Sequence, residues 1–188
     1  SSCLPPEMRY CMISLSDGGK DATVMREFDM QTGTFVENGF VIDSESQGDA
    51  EWLDRDTLLV SRDFGQGTLT ESEYPFTTRL WKRGTELADA PEIYRGEPSD
   101  VWAGAGLLRD SIGTVHGYTA MRGTSFHDRA WYLQQDGEWV RLDMPEKSSL
   151  GGIIDGQMLF STDVDWEVGD QTFPADALVS VDLEQFKT

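Results

Sequence analysis

Short segments in which apolar and polar residues alternate dominate the chain, separated by Gly, Asp and Ser, while helical periodicity is scarce. The alternation predicts strands at Arg9 to Leu15, Thr23 to Asp29, Ala50 to Leu53, Thr57 to Asp63, Thr77 to Lys82, Val101 to Leu107, Thr114 to Met121, Arg129 to Gln134, Glu138 to Leu142, Gln157 to Thr162 and Ala177 to Leu183. Asp17-Gly18-Gly19, Thr32-Gly33, Asn38-Gly39, Asp136-Gly137 and Asp155-Gly156 supply residues that tolerate the positive φ of tight hairpins.

Segments of one type begin near Arg9, Thr57, Thr114 and Gln157, at intervals of 48, 57 and 43 residues. One four-stranded propeller blade occupies roughly 40–50 residues, so the recurrence favours an all-β partial propeller over an immunoglobulin-like sandwich. The reading is a single segment over residues 1–188 with blade-like units at about 9–48, 49–100, 101–148 and 149–188. The second unit is the clearest, running from Ala50-Glu51-Trp52-Leu53 through Thr57-Leu58-Leu59-Val60 and Thr78-Arg79-Leu80-Trp81-Lys82 to Glu92-Ile93-Tyr94. Tryptophans set in recurring strands are expected to pack blade against blade rather than to stack on a ligand.

Composition narrows the function. Six Trp and nine Phe within 188 residues give the anchors of a packed domain. The net charge of −19 repels nucleic-acid backbones and anionic lipid, so neither nucleic acid nor membrane is an expected partner. Cys3 and Cys11 lie in no metal-binding or disulfide spacing and are read as reduced thiols. No apolar run reaches the length of a bilayer span, and the first residues carry no leader signature. A cytoplasmic location is the leading expectation, with periplasmic or secreted placement left open because the sequence has no initiator Met.

Candidate chemistry is sparse. Ser125, His127 and Asp128 have triad residue types, but three near-adjacent residues cannot converge on one substrate atom, so a turn is expected. His116 has no Ser or Cys near it in sequence. Counted as an EF-hand from Asp163, the run Asp163 to Asp170 places Val168 and Pro174 where Gly and Glu are needed, so a solvated loop is expected there. Gly104-Ala105-Gly106 lacks the third glycine of a dinucleotide fingerprint, and Asp54 and Asp56 read as turn residues. No catalytic, metal or cofactor residue is nominated.

The run Ser14-Leu15-Ser16-Asp17-Gly18-Gly19-Lys20-Asp21-Ala22, with Arg26-Glu27-Phe28-Asp29, resembles the propeller of bacterial prolyl oligopeptidase family members. So, in the same order, do Trp52 to Val60, Asp63-Phe64-Gly65, Leu69 to Pro75, Leu80-Trp81-Lys82-Arg83-Gly84 and Gly96 to Val101. The resemblance covers roughly residues 9 to 186. It implies a seven-bladed parent propeller, of which this chain supplies three to four blades, covering a serine-type hydrolase domain that cleaves short peptides after proline. The nucleophile of that domain sits in a G-x-S-x-G elbow, which this sequence lacks; Gly123-Thr124-Ser125-Phe126-His127 is the nearest approach. The implied role is therefore a non-catalytic segment that gates access, with the parent's hydrolase domain and its short peptide substrates as partners. The alternative is a stand-alone protein-interaction or ligand-binding propeller or sandwich module. No strand is expected before Arg9, and the last unit runs out after Leu183, so pairing of two copies through open blade edges is also expected.

Overall fold

The computed structural model describes residues 2–186; Ser1, Lys187 and Thr188, at the ends of the expected ranges, lie outside the described residues. Four main antiparallel sheets follow one another along the chain. The first holds β1 (Ser2–Cys3), β2 (Tyr10–Leu15), β3 (Thr23–Asp29), β4 (Thr34–Phe35) and β5 (Val41–Ser46). The second is the meander β6 (Asp49–Asp54), β7 (Thr57–Ser61), β8 (Thr77–Lys82) and β9 (Glu92–Arg95). The third is the meander β10 (Trp102–Arg109), β11 (Val115–Gly123), β12 (Arg129–Gln135) and β13 (Glu138–Arg141). The fourth begins with β14 (Ser148–Ile154) and β15 (Gln157–Thr162). A small hairpin of β16 (Trp166–Val168) and β17 (Gln171–Phe173) follows, then β18 (Leu178–Asp182), which pairs with β15. A single turn of helix, α1 (Leu183–Phe186), follows β18.

The four recurring segments become β2, β7, β11 and β15, each the second strand of its own sheet. Apolar clusters lie between successive sheets, as in a propeller. Met12, Met25 and Ile42 of the first sheet meet Trp52, Leu58 and Trp81 of the second. Phe76 and Tyr94 meet Ala103 and Ala120 of the third, and Leu108 and Leu133 meet Ile153, Met158 and Phe160 of the fourth. The tryptophans largely follow expectation. Phe40 makes edge contacts with Trp52 and Trp81 at 5.7 and 4.8 Å, Trp139 does so with Tyr94 at 5.1 Å, and the Trp131 indole donates to Ser148 O. Trp166 instead leans on Phe173 within its own hairpin, and Trp102 is exposed.

An ion cluster joins the first two sheets. Glu27, on β3 and 1% exposed, lies 2.7 Å from Arg55 Nη1 and 2.8 Å from Arg83 Nη1, and it accepts the Phe40 N–H. Arg83 also grips Asp56 and Arg55 O. Gly39 is required beside this cluster, since a Cβ there would sit 2.9 Å from Glu27 Oε2.

Three expectations need correction. Residues before Arg9 do contain a strand, the short β1, which pairs with β2. Cys3 and Cys11 are opposite one another in that pairing and form a disulfide rather than two thiols. Two residues are too short a run to show alternation, so neither the strand nor the pairing was visible in the sequence. The acidic stretch from Asp163 to Asp170 is not a plain loop, because it folds into the β16–β17 hairpin. β5 and β14 were also unexpected: β5 is largely polar, and β14 is interrupted by a bulge between Leu150 and Gly152.

Candidate functional site

β10 is the strand that shapes the site. Its Ala103, Ala105 and Leu107 N–H groups donate into the second sheet, to Pro75 O at 3.3 Å, Thr78 Oγ1 at 2.8 Å and Glu51 Oε2 at 3.1 Å. Glycine permits that approach: a Cβ on Gly104 would lie 3.3 Å from Ser61 Oγ, and one on Gly106 would lie 3.2 Å from Glu51 Oε2. The Gly-Ala-Gly run that mimics a nucleotide fingerprint is therefore a seam between sheets.

Along this seam runs a cleft of about 570 Å³. The registers Gly104↔Met121 and Met121↔Trp131 put Met121 and Trp131 on one wall. Trp102 joins them, its indole covering Gly123 so closely that a Cβ there would lie 2.9 Å from Nε1. Ser61, Tyr74 and Pro75 from the second unit line the cleft too, together with Gln47, Gly48 and Asp49 at the start of β6. Phe126, 79% exposed, overhangs from the β11–β12 loop.

Among the described residues, Asp49 is the single charged residue lining the cleft. Glu51 lies behind Gly106, and burial pushes its carboxyl above the ordinary value, with Asp49 adding and the Leu107 N–H and Arg109 opposing. Arg62 is fully buried nearby. Its guanidinium donates to Thr23 O, Thr23 Oγ1 and Ser44 O, and desolvation lowers its basicity against the pull of Asp49.

The structure also locates the clusters weighed in the sequence. Ser125 Oγ donates to Asp128 Oδ2 at 2.6 Å and accepts the N–H groups of His127 and Asp128, which makes a closed turn; the His127 side chain is exposed. The hydroxyl proton is directed at a carboxylate three residues on, within the turn itself. His116 pairs instead with Asp110 at 2.9 Å, and this bond is the main cause holding the Asp110 carboxyl below its ordinary value. Asp54 accepts the Asp56 N–H, closing the β6–β7 turn. Among the described residues, no group of three or more His, Cys, Asp or Glu is placed to hold a metal ion, and no helix is long and apolar enough to cross a membrane. Sequence reasoning missed the cleft itself. Its signal was small residues inside a strand pattern, which mark close backbone approach.

Comparison with known proteins gives a consistent result. Residues 2–183 match the prolyl oligopeptidase N-terminal beta-propeller domain. An uncharacterised peptidase of Sinorhizobium fredii is 39% identical over 97% of this chain. One of Rickettsia prowazekii is 26% identical over 96%. The chain spans 26% of the length of either relative. A post-proline cleaving enzyme from Rickettsia typhi superposes with a TM-score of 0.85 at 22% identity, over 98% of this chain and 28% of its own. Oligopeptidase B from Leishmania major superposes with a TM-score of 0.53 at 10% identity, over 83% of this chain and 21% of its own. At such identities these two superpositions speak for the fold alone. Four successive antiparallel sheets joined face to face and a family match over nearly the whole length agree, and this chain belongs to the prolyl oligopeptidase family, within its N-terminal β-propeller domain.

Proposed function

We propose that this chain is a non-catalytic wall of a peptidase propeller, limiting access so that short peptides reach a hydrolase domain elsewhere in the same protein while folded proteins do not. The whole protein, on this reading, is a serine peptidase that cuts after proline. The family match over residues 2–183 is the observation that carries the reading. The geometry suits it: a wall that excludes by size must resist opening between blades, and the Glu27, Arg55 and Arg83 cluster ties the first sheet to the second. The charge of −19 also favours approach of cationic over anionic peptides.

The test compares cleavage of proline-containing peptides of graded length by the full-length peptidase and by its Glu27→Ala variant. The wild type should cut short peptides and lose activity as length grows. The variant, with its first two sheets loosened, should extend the length limit while keeping its rate on the shortest substrate. An unchanged length profile in a variant whose loosening is verified by hydrogen exchange across β3 and β7 would refute the role.

A further inference from the structure

We propose that the cleft between the second and third sheets is a binding site for a short peptide, which places an apolar or aromatic side chain in the trough and a basic group against Asp49. This goes beyond the gating role, because it assigns the propeller wall a ligand of its own.

The shape comes first. Gly104 and Gly106, with small neighbours Ala103, Ala105 and Ala120, leave room for a trough lined by Trp102, Met121 and Trp131 of the third sheet and by Tyr74 and Pro75 of the β7–β8 loop. A volume of about 570 Å³ lies within the roughly 300–1,000 Å³ usual for ligand sites. The apolar surface there is accessible, in contrast to the inter-sheet cores. Trp102 is 37%, Tyr74 40% and Phe126 79% exposed, whereas Trp52 and Trp81 are 1% and 7%. Large rings left open around one trough, with a carboxylate in its lining, match the usual make-up of sites that hold an apolar group and orient it by a few polar contacts.

Charge selects the second feature of the ligand. Among the described residues, neither Lys nor Arg lines the cleft. Arg62 attracts Asp49 electrostatically, but it is fully buried and its guanidinium donates to Thr23 and Ser44. Asp49 Oδ1 accepts the Ala50 N–H, and an aspartate carboxylate keeps further acceptor capacity for a donor from outside. Asp49 is exposed within the cleft lining, so a guanidinium or ammonium placed against it is favoured and a carboxylate repelled.

Calorimetric titration of the protein with N-acetylated, C-amidated Phe-Arg, Phe-Glu and Ala-Arg tests this. Phe-Arg should bind with a sub-millimolar Kd that weakens as salt is added, and the other two should bind at least roughly tenfold more weakly. Asp49→Asn retains an acceptor for Ala50 and should erase the preference for Phe-Arg over Phe-Glu. Phe126→Ala, at an exposed loop position, should weaken Phe-Arg several-fold. Ile112→Ala, exposed but outside the cleft, should change nothing. No heat with Phe-Arg, equal binding of Phe-Glu, or wild-type affinity in both Asp49→Asn and Phe126→Ala would overturn the site. The readout is equilibrium binding, so it stands or falls separately from the length profile of cleavage.

Discussion

Arg9 grips Asp29 with two hydrogen bonds, Nε to Oδ1 at 3.0 Å and Nη2 to Oδ2 at 2.6 Å, and the same carboxylate accepts the Gln31 and Thr32 N–H groups. The Arg9 bond is the largest cause holding the Asp29 carboxyl down to about 2. Burial opposes it, and the two backbone donors assist. A carboxyl with a depressed folded value stabilises the fold fully above its ordinary value of 3.8, and the contribution is lost as pH falls towards about 2. Asp29→Asn should therefore flatten the acid limb of stability between those two values, measured as unfolding free energy by denaturant titration at each pH. Glu51 has the opposite sign. Its folded value is raised, so ionisation with rising pH works against the fold, and Glu51→Gln should raise the melting temperature at neutral pH because it can still accept from Leu107 N–H.

Strand ends depend on a few backbone positions. Asp136-Gly137 and Asp155-Gly156 have positive φ at both residues, as a two-residue hairpin turn requires, and they join Gln135 to Glu138 and Ile154 to Gln157. Gly48 is the more demanding case. At φ +122° a Cβ would lie 2.0 Å from Ser61 O, just where β6 begins to pair with β7. Gly48→Ala should cost at least about 1–3 kcal/mol, read from the shift in thermal or denaturant midpoint. β1 presents a different problem, since two residues cannot hold a strand by pairing alone. The Cys3–Cys11 bond and the hydrogen bond from the Trp52 indole to Ser2 O secure it. Closing a loop across a separation of 8 residues stabilises by about 2–3 kcal/mol in the chain-entropy treatment. A reducing agent should lower the melting temperature accordingly, and thiol titration of the unreduced, denatured protein should find no free cysteine.

At the scale of the molecule, the sheets are joined by apolar layers and, between the first and the second, by a buried ionic tie. Glu27 is buried while Arg55 and Arg83 are 36% and 24% exposed and Arg83 keeps Asp56, so Glu27→Ala should destabilise by about 1.5–3 kcal/mol through its lost charge-assisted hydrogen bonds. Glu92→Ala provides the contrast. It breaks the outward Arg95–Glu92 pair, with side chains 47% and 32% exposed, and should cost less than about 1 kcal/mol. Denaturant unfolding of the two variants side by side distinguishes a molecule held between its sheets from one held by surface pairs.

The alternation of side chains by itself determined the strands, because a pleated half-buried strand writes its period into the sequence; Thr23–Asp29, Thr77–Lys82 and Gln157–Thr162 were legible to the residue. The recurrence of those strands determined the propeller, because each blade must repeat the same burial pattern. What tertiary structure alone decided depends on neighbours distant in sequence. β1 and its disulfide exist through Cys11 and Trp52, and β5 lies against Met25 and Arg26 of β3 despite its polar run. The cleft arises where Gly104 and Gly106 bring β10 against Ser61, Thr78 and Glu51, which lie between 26 and 55 residues earlier in the chain. Sequence spacing records which face a side chain takes along its own strand. It carries no record of which remote group that face will meet, and the shape and charge of the site are properties of that meeting.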